Sequence, residues 1–453
     1  MKRFTKWMVR HRVLVVIICL VLMVPSVLGM MATRTKYDLL YYLPDDLETV
    51  KGQEILLDEF GKGAFSLLLT ESMTDREQQK MEEAIREIDH VDSVIGYASL
   101  TKGQIPVEML PDEISEIFSK GNARLSAVFF DEGSSSEATM EAIENIRKVA
   151  GERCMVSGLS AIVTDTKELV ESQEAIYVGI AVALCVLVLM VTMDSFLLPF
   201  IFLLGVGVSI LWNMGTNAFL GEISYITKAV AAVLQLAVTL DYSIFLWHSY
   251  KEQKGLTEDR DEAMAAAIHK TFTSILGSSL TTVAGFLSIC FMTFTLGRDL
   301  GIVMAKGVLL GVLGSVTVLP SLILIFGSKL EKLDHRTIFP AFDWLSRKIV
   351  KFFPVFLILF VAIIPPALFG YQKTNESVYY SLSQSLPDDM EFAVANKKLS
   401  ETFGLSNVHM ILSDAHLDQA TATDMTDQLE QVAGVKSVLS LESLTGGDVP
   451  LEI

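Results

Sequence analysis

The chain has 453 residues, 51% of them hydrophobic, with a mean hydropathy of +0.44 and a formal net charge of −18. That apolar content excludes an ordinary soluble domain and points to a polytopic membrane protein with soluble parts. The charge is uneven, with about 15 more acids than bases over residues 34–174 and basic segments beside the apolar runs, which argues against a nucleic-acid partner.

Residues 1–12 are basic and lead into an apolar run, Leu14 to Met31. A secretory leader has the same look, so this run needs the repeat described below to be read as a retained span. Residues 34–173 are polar. Pro44-Asp45-Asp46 opens a helical pattern that lasts to Phe60. A strand over Ala64–Leu69, a helix over Asp75–Ile88 and a strand over Val91–Tyr97 follow. A second set comprises a strand over Arg124–Phe130, a helix over Glu137–Val149 and a strand over Cys154–Ser157. Two βαβ sets in that order predict a split, ferredoxin-like domain, a fold that names no function.

Apolar spans are predicted at about 175–193, 197–215, 225–247, 273–294, 301–326 and 350–370, which with the first run makes seven transmembrane helices. Lys2, Arg3, Lys6, Arg10 and Arg12 precede the first span. Lys251, Lys254, Arg260 and Lys270 lie between the fourth and fifth, and Lys329, Lys332, Arg336, Arg347 and Lys348 between the sixth and seventh. Alternating topology places all three groups on one side, which the positive-inside rule makes the cytoplasm. The 34–173 domain is then outside. The loop at 251–272 reads as an amphipathic interfacial helix, with a plain solvated helix equally compatible.

The stretch Ser224–Tyr250 carries an acid, Asp241, past its middle, followed by Tyr242. A carboxylate there costs about 2.5–3.5 kcal/mol on the insertion scale, so it is kept where it faces protein or water, and proton relay is the commonest task. The competing reading is a structural Asp bonded to a neighbouring helix. Burial raises a carboxyl pKa toward neutrality, and an adjacent phenol can donate to the charged form. Thr239, Ser243, Ser278, Ser279, Thr281 and Thr282 could line a wet path, or serve as helix-packing hydroxyls. His248, seven residues after Asp241, lies on the same helical face, where a relay and a plain interfacial position compete. Arg298 and Asp299 open the sixth span and read as a local ion pair. Gly205, Gly207, Gly277, Gly285, Gly311 and Gly314 lie inside apolar runs and are expected to permit close helix packing.

There is no Walker A loop, HExxH or CxxC, so neither bound ATP nor a metal is indicated, and no cofactor is expected. Cys19, Cys185 and Cys290 lie in apolar runs and Cys154 is alone in its domain, so no disulfide is indicated there. The outer domain shows no nucleophile–base pair, which argues against an enzyme.

Residues from 343 onward repeat the start. Leu43-Pro44-Asp45-Asp46 recurs as Leu386-Pro387-Asp388-Asp389, and Phe60-Gly61 as Phe403-Gly404. Val91, Ser93 and Val94 recur as Val435, Ser437 and Val438. Leu100-Thr101 recurs as Leu444-Thr445, Pro106 as Pro450, and Pro25 and Gly29 as Pro366 and Gly370. Both copies enter the membrane in the same direction, so the repeat is parallel. The second copy runs to Ile453, the counterpart of Met109, and corresponds to the front of a two-copy protein of about 680 residues. A fragment, a truncated gene or a partner chain supplying the remaining spans would each account for this.

One span, a ferredoxin-like domain, five spans and the same again resembles the RND (resistance–nodulation–division) superfamily, and within it the MMPL-type exporters. The residues are Leu240-Asp241-Tyr242-Ser243-Ile244-Phe245-Leu246, Ser278 to Phe286, and Leu300-Gly301 through Gly311 to Leu319-Pro320. The resemblance implies a porter-type outer domain and a proton relay at Asp241 and Tyr242, facing an equivalent pair in a tenth span. It implies proton-motive-force-driven export of lipids or other amphipathic compounds across the cytoplasmic membrane, with a chain or segment supplying spans eight to twelve as partner. The oligomeric state stays open. The alternative is a non-enzymatic lipid-sensing or protein-export accessory protein, which also keeps an acid in span four.

The expected organisation is therefore a basic tail and first span over 1–33, a first outer domain over 34–173, and a five-span bundle over 174–327. A cytoplasmic linker over 328–349, a seventh span over 350–370 and a partial second outer domain over 371–453 follow.

Overall fold

The computed structural model describes residues 2–38, 40–97, 112–335, 343–377, 386–405, 408–413, 419–435 and 438. The chain forms two compact units. One comprises residues 1–44 and 167–382, the other residues 45–166 and 383–453.

In chain order the elements are α1 (Lys2–Arg10), α2 (Arg12–Ala32), β1 (Arg34–Lys36), α3 (Glu48–Asp58), β2 (Ala64–Glu71), α4 (Asp75–Arg86) and β3 (Val91–Gly96). Then come α5 (Asp112–Phe118), β4 (Ser119–Lys120), β5 (Ala123–Phe130), α6 (Glu137–Ala150), β6 (Cys154–Ser157), α7 (Leu159–Thr192) and α8 (Leu198–Gly215). They continue with β7 (Glu222–Ser224), α9 (Tyr225–Lys254), α10 (Arg260–Ile289), α11 (Leu296–Lys332), α12 (Asp343–Lys351), α13 (Phe353–Ser377), α14 (Glu391–Thr402) and α15 (Gln419–Glu430).

The sheet unit is ferredoxin-like as expected. Its strands are ordered β3-β5-β2-β6, all antiparallel, with short β4 paired to β5. Alternation along the central strands decides which face is buried. Leu68, Val128 and Val156 share a core with Ile85 of α4 and Ile143 and Ile146 of α6. Each such side chain contributes about 1.5–3 kcal/mol on burial. Local chemistry starts the helices. Thr74 and Glu77 form a reciprocal capping box on α4, and Ser136 caps α6 through the Thr139 amide.

The repeat is visible in the helices. α2 and α13 begin at equivalent positions, as do α3 and α14, and α4 and α15. Gly61 and Gly404, three and two residues past the ends of α3 and α14, have φ of 63° and 70°. Both stand in the left-handed region that a side chain resists, which explains why the Phe-Gly pair recurs. The strands of the second copy differ from expectation. Residues 408–413, the counterpart of β2, are irregular. A strand needs a neighbour to satisfy its backbone groups, and none of the described second-copy segments supplies one. Leu444, Thr445 and Pro450 lie outside the described residues. α14 packs its Phe392, Ala395 and Leu399 with the sheet unit's cores.

The helical unit has, among the described residues, seven helices long and apolar enough to cross a membrane: α2, α7, the run Leu198–Phe219 that contains α8, α9, α10, α11 and residues 353–375 of α13. Most of the apolar window of α11 is buried, at 72%, whereas none of that of α13 is. α11 is thus the central helix, packed on α8, α9 and α10. Residues 34–44 and 167–173 belong to this unit: β1 pairs in parallel with β7, and the Tyr37 hydroxyl donates to Glu171 at 3.0 Å.

The expected interfacial helix over 251–272 is not a separate element. α9 continues to Lys254, and α10 starts at Arg260 behind the N-cap of Asp259, so the amphipathic residues form the first turns of a long span. Ion pairs gather the three basic segments at one end. Arg12 meets Asp261 at 2.5 Å, Lys251 meets Asp194 at 2.7 Å, and Lys254 and Arg260 both meet Glu331.

Candidate functional site

Asp241 lies seventeen residues into α9 by number, and Tyr242 follows on the same turn. Successive residues on an α-helix are about 100° apart, so the two side chains enter different surroundings. Asp241 is exposed on the surface of the helical unit. Tyr242 is 6% exposed, packed with Ile275 of α10 and Val312 of α11. Its hydroxyl is buried and makes no hydrogen bond, and none joins it to Asp241.

The supporting residues divide. Thr239 and Ser243 are buried beside Tyr242 on the inner face of α9. The Ser243 hydroxyl donates to the Thr239 carbonyl at 3.0 Å, while the Thr239 hydroxyl has no partner. On α10, Ser279 is buried and donates to its own helix at Leu276 O. Ser278 and Thr281 are exposed, Thr282 is half-buried, and both threonines donate to Ser278 O. Such back-bonds satisfy a hydroxyl locally. His248 is exposed, as Asp241 is, in keeping with a shared face.

Two expectations are corrected. Asp299 does not pair with Arg298. Its carboxylate accepts from the Ser224 amide at 2.8 Å and the Thr227 hydroxyl at 2.7 Å, and so caps the start of α9. A carboxylate is favoured at a helix N-terminus, where amides lack partners. Among the glycines, Gly205, Gly311 and Gly314 do sit against neighbours, namely Leu319, Thr239 and Ser209. Gly207, Gly277 and Gly285 face open space. A close backbone-to-backbone approach involves Gly29 and Gly215, where a Cβ on either would run into the other helix's backbone.

A polar cluster that the sequence reading passed over lies at the α8–α9–α11 junction. Lys306 of α11 donates to the Asn213 carbonyl at 2.9 Å, the Thr216 hydroxyl at 2.8 Å and Asn217 Oδ1 at 2.6 Å. These use all three ammonium protons and close the C-terminal end of α8, where a cation is favoured. Asn213 Nδ2 donates to Gln235 Oε1 at 3.0 Å. One polar residue within each of three apolar runs was the available signal. Among the described residues no group of His, Cys, Asp or Glu could hold a metal.

A multi-pass helical bundle joined to a ferredoxin-like unit, with an acid in mid-span, defines a membrane protein of RND type. The MMPL family model matches residues 70–353, and the chain belongs to that family. It is 24% identical over 325 residues to a siderophore exporter, MmpL5 of Mycobacterium tuberculosis, covering 69% of this chain and 34% of that one. It is 23% identical over 447 residues to a probable transport protein, MmpL9 of the same species, covering 90% of this chain and 44% of that one. A membrane protein of Bacillus subtilis, YdfJ, is 22% identical over 358 residues, covering 73% and 46%. The chain spans less than half the length of each of these relatives.

Proposed function

We propose that this chain is the proton-coupled part of an exporter that moves lipids or other amphipathic compounds across the cytoplasmic membrane, with Asp241 and Tyr242 as the relay. Membership of a family whose relatives carry transporter names supports the transport reading. The observation that carries the relay is the outward placement of Asp241. A carboxylate facing hydrocarbon in mid-span costs about 2.5–3.5 kcal/mol, so that face is to be covered by protein or water. The neighbouring α10 exposes Ser274, Gly277, Ser278, Thr281, Gly285 and Ser288 together with Leu280 and Leu287, and small and hydroxyl residues of this kind suit contact with a further helix. A segment or second chain supplying further spans fits there. The basic end of the bundle faces the cytoplasm, with the N-terminus inside and the sheet unit outside, under the positive-inside rule. No catalytic chemistry is assigned to the sheet unit.

The test is efflux of a lipophilic dye from energised cells expressing the complete transporter, with and without an uncoupler. Asp241→Asn is nearly isosteric and removes only the titratable charge. Uncoupler-sensitive efflux is expected to be lost while membrane insertion is retained. Full activity in Asp241→Asn at normal expression would leave the relay without its acid.

A further inference from the structure

Helix α1 stands at the basic end of the bundle, ahead of the first span. The backbone turns at His11, with φ of −104° and ψ of 26°, so α1 is a separate helix of nine residues. It packs against α10 and α11. Thr5, Met8 and Val9 are buried, the last two in the core of the bundle. Val13, Leu14, Ile17 and Ile18 of α2 are exposed apolar side chains, so the hydrocarbon edge of the membrane begins directly after α1.

At about 100° per residue, the side chains of α1 fall into three arcs that do not interleave. Thr5, Met8 and Val9 form the inner arc. Phe4 and Trp7 form an aromatic arc, 51% and 49% exposed, with the Trp7 ring stacked on His11 at 4.9 Å. Arg3, Lys6 and Arg10 form a basic arc, all exposed. Five other bases at this end are matched by acids: Arg12 by Asp261, Lys251 by Asp194, Lys254 and Arg260 by Glu331, and Lys270 by Glu252. Among the described residues no acid pairs with Arg3, Lys6 or Arg10. The repeat sets Arg347 and Lys351 of α12 where α1 has Lys6 and Arg10, in the register that matches Pro366 to Pro25.

We propose that α1 lies in the membrane surface and that Arg3, Lys6 and Arg10 bind the phosphate headgroups of anionic phospholipids in the leaflet beside it. An aromatic arc next to a basic one is the chemistry of that boundary. Rings settle at headgroup level, and guanidinium and ammonium groups donate to phosphate oxygens. Spacings of three and four residues set the three bases along one side of the helix, over about 10 Å at 1.5 Å per residue. A soluble acidic partner would answer the charges but not the exposed rings of Phe4 and Trp7 beside them. This binding requires no proton relay at Asp241.

The experiment is native mass spectrometry of the full chain released from detergent, titrated with phosphatidylglycerol or with phosphatidylcholine of the same acyl chains. Each base beside an anionic surface is worth about fivefold in affinity. Arg3→Gln/Lys6→Gln/Arg10→Gln is therefore expected to weaken phosphatidylglycerol binding about tenfold or more, with phosphatidylcholine binding unchanged. Arg3→Lys/Arg10→Lys keeps the charge and is expected to retain the binding. Removal of three paired bases, in Lys254→Gln/Arg260→Gln/Lys270→Gln, is expected to have much less effect. Equal binding of the two lipids by the wild type, an unaltered affinity in the α1 triple variant, or an equal loss in the paired-base variant overturns the proposal. In phosphatidylglycerol nanodiscs, a nitroxide in place of Phe4, in a cysteine-free background, is expected to be relaxed more by oxygen than by a water-soluble nickel chelate. The reverse would put this face in water, where a soluble acidic partner and not lipid would meet it, and overturns the proposal as well.

Discussion

Asp241 and Tyr242 are neighbours in sequence but occupy different environments: the carboxylate is exposed on the surface of the helical unit, and the phenol is buried against Ile275 and Val312. In the relay proposed above, the acid lies on the surface of the helical unit and the phenol inside its own bundle. The two are therefore expected to respond differently to mutation. Tyr242→Phe removes one buried hydroxyl and should lower uncoupler-sensitive efflux, short of the loss expected in Asp241→Asn. Ser278→Ala should be mild, since hydroxyl hydrogen bonds within membranes average about 0.6 kcal/mol. Efflux in the order wild type, Ser278→Ala, Tyr242→Phe, Asp241→Asn is the expected result, and a Ser278→Ala defect as deep as that of Asp241→Asn would contradict it.

Lys306 closes the end of α8 with three hydrogen bonds to neutral oxygens. Lys306→Met keeps the aliphatic stem and leaves those acceptors buried without a donor, at about 1–3 kcal/mol. Thermal unfolding in detergent should shift to lower temperature. An unchanged midpoint would show that the ammonium contributes nothing to the junction.

Gly215→Ala tests the contact of α2 with α8. Its Cβ would lie 2.4 Å or less from backbone atoms of Ser26, which cannot move as a flexible side chain could. Overpacking of this kind costs about 1–3 kcal/mol. Lower thermal stability is expected, with Gly207→Ala, which faces open space, as a neutral control.

The sheet unit should carry a pH signature at Glu82. Its Oε1 accepts from Gln78 at 3.0 Å and Ser126 at 2.7 Å, Oε2 is buried without a partner, and burial pushes the carboxyl pKa up. The folded state then holds this proton more tightly than the unfolded state. The contribution of Glu82 to stability is fullest below its ordinary value of 4.5 and falls as pH rises through the raised value. Glu77 has the opposite sign. The Thr74 amide, the Thr74 hydroxyl and Arg153 hold it down to about 2, so its contribution is present above 4.5 and is lost as pH falls toward about 2. Glu82→Gln should increase hydrogen-exchange protection of the β2–β5 amides at neutral pH and matter less at mildly acidic pH. Equal effects at both would remove the titration from the explanation.

Orientation is checked by single cysteines at Asp45 and Asp388. Both should react with an impermeant thiol reagent from outside intact cells. Reaction of either only after permeabilisation would reverse the topology.

The sequence by itself determined the elements. Apolar run length marked the seven long helices, period-two and helical patterns marked the strands and helices of the sheet unit, and recurring Pro-Asp-Asp and Phe-Gly pairs marked the duplication. These are local signals, set by backbone geometry and burial within a few turns. The two βαβ sets indicated the ferredoxin-like fold, and the pairing of the strands in the order β3-β5-β2-β6 is seen in the structure. Tertiary structure alone decided the facing of side chains on α9. That helix is apolar on most sides, so periodicity could not tell that Tyr242 is inside and Asp241 outside, or that Gly311 opposes Thr239. The same holds for Asp299, which bonds across to Ser224 and Thr227 rather than to its neighbour Arg298, and for Lys306, whose three acceptors lie about ninety residues away in sequence. Such pairings depend on how helices are rotated against each other, which is fixed by shape and hydrogen-bond demand summed over the whole bundle.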